Sequence, residues 1–70
     1  MLQKKLGNRI AELRRAKKLT QKGLAKRTGY SLEFISLIER GVNGPSIAGF
    51  ERFAKVLKVK VGDLFKFKPE

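Results

Sequence analysis

Apolar residues recur at helical intervals from the first residues onward. Leu2, Leu6, Ile10 and Leu13 are spaced four, four and three apart, which puts them on one face of a helix whose other sides carry Lys4, Lys5, Arg9, Arg14 and Arg15. This first helix is predicted to end near Lys17 or Lys18. Thr20 then reads as an N-cap, with Leu19 and Leu24 at the spacing of a hydrophobic staple, so a second helix is predicted over 21–27. Gly29 closes it, because glycine adopts the left-handed backbone of a helix end without a steric penalty. Ser31 is the next N-cap, opening a helix over 32–40 with Ile35 and Ile38 inward and Gly41 as its stop. After a loop over 42–45, Ser46 caps a fourth helix whose buried stripe is predicted to be Ile47, Phe50, Phe53, Ala54 and Leu57. Val59, Val61, Leu64 and Phe65 predict one more short helical turn. No stretch alternates with period two for long, so the class is all-α.

Seventy residues make one domain, and a chain of this size buries only about 60% of the surface exposed when unfolded, so its core must be compact. Cysteine and histidine are absent, which removes disulfides, zinc fingers, thiol and imidazole nucleophiles and the commonest general base. The six carboxylates are scattered, with no paired set and no phosphate loop. An enzyme is therefore not expected, and neither a cofactor nor a small-molecule ligand is indicated. Without a long apolar run or a secretory signal, a membrane location is not indicated and a cytoplasmic one is expected.

Charge changes the picture more than composition does. Seventeen Lys and Arg against six Asp and Glu give +11, enough to concentrate a polyanion around the molecule. The excess is uneven: residues 1–28 sum to +9, residues 29–54 to −1 and residues 55–70 to +3. Solvated lysines and arginines also serve solubility. Two short helices joined across a Gly-containing turn, inside a basic all-helical domain, match the arrangement of a DNA-reading helix-turn-helix.

The letters sharpen this: Leu19-Thr20-Gln21, Leu24-Ala25, Gly29, Ser31, Ile35-Ser36, Ile38-Glu39-Arg40-Gly41 and Pro45-Ser46. The chain resembles the phage Cro and repressor type of helix-turn-helix, the XRE family, over 6–65, with the motif at 20–40 and a short basic tail at 66–70. The resemblance implies a compact five-helix, lambda-repressor-like domain that binds double-stranded DNA as a two-fold dimer on a palindromic operator and regulates transcription. It implies that Gln21 grips a backbone phosphate and that Ser31, Leu32, Glu33, Ser36 and Leu37 face base edges. Arg40 and Asn43 match backbone-contacting positions after the reading helix. Arg14 and Glu39 match a pair often joined by a salt bridge, which would hold helix one against helix three and aim Arg14 at a phosphate.

Four positions depart from the family pattern. Gly23 stands where Glu is usual, which removes a capping-box partner and costs up to about 1 kcal/mol of helix propensity relative to Ala. Lys58 replaces a glycine common after helix four, so either that helix ends differently or a non-glycine residue bears a left-handed backbone at a cost of about 1 kcal/mol. Leu32 and Leu37 stand where polar side chains are usual; neither can hydrogen-bond a base, and partial burial is an alternative for Leu32. These leucines also motivate a second reading, a protein-interaction module that kept the fold. A homodimer is expected through helix four, the last turn and the tail, using Val56, Val61, Phe65 and Phe67.

Overall fold

The computed structural model describes residues 2–67. Its elements are α1 (Leu2–Ala16), α2 (Gln21–Thr28), α3 (Leu32–Glu39), α4 (Ile47–Leu57) and a 3-10 turn (Val61–Phe65), with no strand among the described residues. The all-α class holds, but the expected count of five helices becomes four α-helices and one 3-10 turn. Of the expected tail, residues 68–70 lie outside the described part.

Three of the four α-helices begin on a side-chain cap that the sequence announces. Thr20, Ser31 and Ser46 accept hydrogen bonds from the backbone N–H of Gly23, Phe34 and Gly49 at 2.9, 3.0 and 3.1 Å, each satisfying a donor the helix leaves unpaired. Half of the capping box therefore survives at Gly23, since the Thr20 bond needs only a backbone N–H. The second helix closes on Gly29 at φ 82° and α4 on Lys58 at φ 58°. Of the two alternatives at Lys58, the chain adopts the left-handed non-glycine one.

Leu6, Ile10, Leu24, Ile35, Ile38, Phe53, Leu57 and Leu64 form one core to which every element contributes. Packing of α1 on α3 is close because residue 7 is glycine: a Cβ there would lie 2.3 Å from the carbonyl oxygen of Ile38. Leu13 and Phe50 pack against it half-buried, and two other predicted core positions are exposed. Leu2 is exposed, and Ile47 is 81% exposed, because each is the first residue of its helix and overhangs the neighbours that cover the later turns. No helix among the described residues is long and apolar enough to cross a membrane.

Candidate nucleic-acid interface

At the start of α2, three helices meet on one carboxylate. Glu39, buried at the end of α3, accepts from Arg14 Nε at 2.7 Å, Arg14 Nη2 at 3.1 Å and Gln21 Nε2 at 3.0 Å. The remaining Arg14 terminal nitrogen, Nη1, donates to the carbonyl of Leu19 at 2.8 Å. A bidentate guanidinium–carboxylate pair fixes distance and angle together, so α1, the α1–α2 turn, α2 and α3 are held in one orientation. The salt bridge expected between Arg14 and Glu39 is present. Its second expected task meets a different geometry: Arg14 is 8% exposed and its three nitrogens are already engaged inward, so it positions the site from within. The bond from Gln21 to Glu39 was not expected. It holds the Gln21 side chain at the first turn of α2, beside the backbone N–H groups that make a helix N-terminus attractive to anions.

On α3, Ile35 and Ile38 are fully buried, and the opposite side carries the expected reading residues. Ser31, Leu32 and Glu33 are exposed, while Ser36 and Leu37 are half-buried. Leu32 is 49% exposed, which decides against its being a core residue. The chain then folds back on α3: the N–H groups of Gly41 and Val42 donate to the carbonyls of Ile38 and Leu37, both at 3.0 Å. Gly41 has φ 77°, and a Cβ there would stand 2.7 Å from the Cα of Lys4, so only glycine fits this turn against α1. That turn leaves Arg40 and Asn43 exposed beyond the end of α3. The structure thus brings Gln21, the α3 face and the Arg40–Asn43 loop together around one lock.

The residues expected at a dimer surface divide. Phe65 is 41% exposed and its ring centroid lies 5.2 Å from that of Phe50 and 6.4 Å from that of Phe67. Ile47 stands one turn before Phe50 on α4, which extends this aromatic ledge. Val56 lies nine residues after Ile47, on the opposite edge of α4's buried face at 100° per residue, and lines a different, basic surface with Arg27 and Lys58. A second feature escaped the sequence reading: Arg52 donates from Nη1 to the carbonyl of Thr28 at 3.0 Å and sits 5.5 Å from the centre of the Tyr30 ring, tying the end of α2 to α4. The two residues are 24 apart, and no local spacing signals such a contact.

The family description Helix-turn-helix domain matches residues 5–65. The chain belongs to the helix-turn-helix domain family. Within it, this helix-turn-helix protein is of the DNA-binding Cro and repressor type that its letters suggest. It is 39% identical over 62 residues to an uncharacterized HTH-type transcriptional regulator of Archaeoglobus fulgidus, covering 89% of this chain and 87% of that one. To the uncharacterized HTH-type transcriptional regulator YazB of Bacillus subtilis it is 40% identical over 58 residues, covering 83% and 84%. Among solved structures it is similar to the restriction-modification controller protein C.AhdI of Aeromonas hydrophila, with a TM-score of 0.85, 34% identity and coverage of 89% and 94%.

Proposed function

We propose that this helix-turn-helix protein is a transcriptional regulator that binds a palindromic double-stranded DNA site as a two-fold dimer. The observation that carries this reading is the lock on Glu39, which sets the phosphate-gripping end of α2 and the exposed face of α3 in one rigid geometry. Gln21, Arg40 and Asn43 take backbone phosphates, which fix register without carrying sequence information. Glu33 accepts from a cytosine amine, Leu32 and Leu37 pack against thymine methyls, and Ser31 and Ser36 donate with little bulk. Arg14 acts through Glu39 rather than on DNA. The dimer forms on the ledge of Ile47, Phe50, Phe65 and Phe67 with Val61 beside it, since one domain of this size makes too few contacts to be selective alone.

A good bidentate base contact contributes about 1–3 kcal/mol of discrimination, and α3 offers one exposed carboxylate and methyl contacts, so sequence preference is expected to be moderate. The test starts from sites selected out of random DNA. Replacing thymine by uracil in each half-site removes the methyls and keeps pairing; affinity is expected to fall, and the fall to vanish in Leu37→Ala. If uracil changes nothing and Glu33→Ala leaves base preference intact, α3 does not read bases. The half-exposed Leu32 would then favour the second reading, a protein-interaction module on the same fold. A monomer in sedimentation at high concentration, binding one-to-one on a palindrome, would overturn the dimer.

A further inference from the structure

At the end of α2 remote from Gln21, the last turns of α2 and α4 border an open surface hollow of about 520 Å³ between Arg27, Arg52, Lys55 and Lys58, with Thr28 and Val56 also in its wall. A smaller hollow of about 190 Å³ shares Arg27, Val56 and Lys58 and adds Lys17 and Leu19. Five cations and no carboxylate line the two. Ion pairs form elsewhere in the molecule, Arg9–Glu12, Arg14–Glu39 and Lys66–Asp63 among them. Thr28 stands seven residues after Gln21, about 10 Å along the helix axis, and none of the lining residues belongs to the α3 face or the Arg40–Asn43 loop.

Helix dipoles account for part of this cluster. Arg27 and Lys55 lie in the last turns of α2 and α4, where a cation is favoured by the carbonyl ends. They do not account for Lys58. The two helices end in the same left-handed conformation, but α2 uses Gly29 at φ 82° and α4 uses Lys58 at φ 58°. A side chain in that region is strained, and strain of this kind is characteristic of places where a particular side chain is needed. Arg52 adds a third observation, because the Thr28 carbonyl and the Tyr30 ring already hold it in place and little rotamer freedom remains to be lost on binding.

We infer that this hollow is a second phosphate site, separate from the base-reading surface, taking a compact ligand with two or three phosphoryl groups. A terminal phosphate carries about −1.5 to −2 and a bridging or diester one about −1, so inorganic triphosphate brings roughly −4 to −5 against the five cations and a stretch of two or three DNA phosphates about −2 to −3. Arginine meets phosphate oxygens bidentately, and 520 Å³ falls within the roughly 300–1,000 Å³ of small-ligand clefts. The phosphates come either from a free polyphosphate or nucleotide tail or from the backbone of a DNA segment outside the recognised site; the chemistry at the hollow is the same.

The test uses the full 70-residue chain and inorganic triphosphate, followed by backbone amide NMR at physiological salt. Saturable shifts are expected at Arg27, Thr28 and 55–58, and the Arg27→Gln/Lys55→Gln double variant, at two exposed positions, should bind about tenfold more weakly. Lys58→Gly should also bind more weakly, although it relieves the backbone. A duplex of unselected sequence is the second arm. If it shifts only Gln21 and α3, the source is a free polyphosphate; if it also shifts the hollow and triphosphate competes there, the source is DNA backbone. Shifts that do not saturate, that spread evenly over all lysines and arginines, or that persist in the double variant overturn the site. Since the variants leave Gln21 and α3 intact, failure here and failure of base reading are seen separately.

Discussion

The two ends of α2 handle charge in opposite ways. At the start, Arg14, Gln21 and Glu39 come from three helices, and each side chain has a partner inside the molecule. At the end, Arg27 lies among Arg52, Lys55 and Lys58 in a hollow that no carboxylate lines. One end converts charge into fixed geometry and the other leaves it for a partner. A net charge of +11 is therefore not one property of this protein: the buried cation holds three helices in one orientation, and those around the hollow stay at the surface.

The largest effects are expected at the locked end. In Glu39→Ala the guanidinium of Arg14 stays buried without its partner, and removing one member of a buried pair costs about 3–5 kcal/mol. Chemical denaturation should show a midpoint shift of that size, with DNA affinity reduced even where the protein remains folded. The double variant Arg14→Met/Glu39→Leu separates stability from positioning. Replacing a whole buried pair by apolar groups is often close to neutral, so stability should return. DNA affinity should not, because Gln21 has lost the carboxylate that holds it. If affinity returned with stability, the lock would be a packing feature and not a positioning one.

A smaller change of opposite sign is expected at the open end. Lys58→Gly removes a side chain from a left-handed position, a relief of about 1 kcal/mol or more, offset in part by the greater freedom of glycine in the unfolded chain. A net stabilisation of about 0.5–1 kcal/mol should appear as a higher denaturation midpoint. A destabilised Lys58→Gly would mean that the lysine side chain makes a contact of its own, and the contrast between the two ends would weaken.

What the sequence made legible follows the range of each interaction. Thr20, Ser31 and Ser46 are readable as caps because the bond each makes spans three residues. The inward positions Ile35 and Ile38 follow from helical period alone. Ile47 does not, because period gives the face of a helix and not whether a neighbour extends far enough to cover its first turn. The Arg14–Glu39 pair came from resemblance, 25 residues apart, whereas the third bond to Glu39 from Gln21 depends on the final packing of α2 on α3. The basic hollow was hidden for the same reason: Lys17, Arg27, Arg52 and Lys55 come from separate stretches, and Arg52 sits in a segment whose net charge is −1.

The exposed pair at the 3-10 turn gives the smallest effect and sets the lower limit of the contrast. Asp63 accepts from the backbone N–H of Lys60 at 3.0 Å and meets Lys66 Nζ at 2.9 Å. The Lys66 hydrogen bond, followed by that of Lys60, holds its carboxyl below the ordinary value of 3.8. A carboxyl depressed in the folded state stabilises the fold above its unfolded value and loses that contribution as pH falls through the folded one. The window is therefore below pH 3.8, well clear of neutrality. Lys66 is largely solvated, with a side-chain exposure of 73%, and such pairs are screened by salt. An NMR titration should place the Asp63 midpoint below 3.8; Lys66→Met should move it upward, and added salt should do the same to a lesser degree. Any stability difference between Lys66→Met and the unsubstituted chain should disappear once Asp63 is protonated in both. A midpoint at or above the ordinary value would mean that the pair does not persist in solution. The contrast would then be between a buried lock that orders the molecule and surface charge that orders nothing by itself, a state that leaves lysines and arginines free for a phosphate.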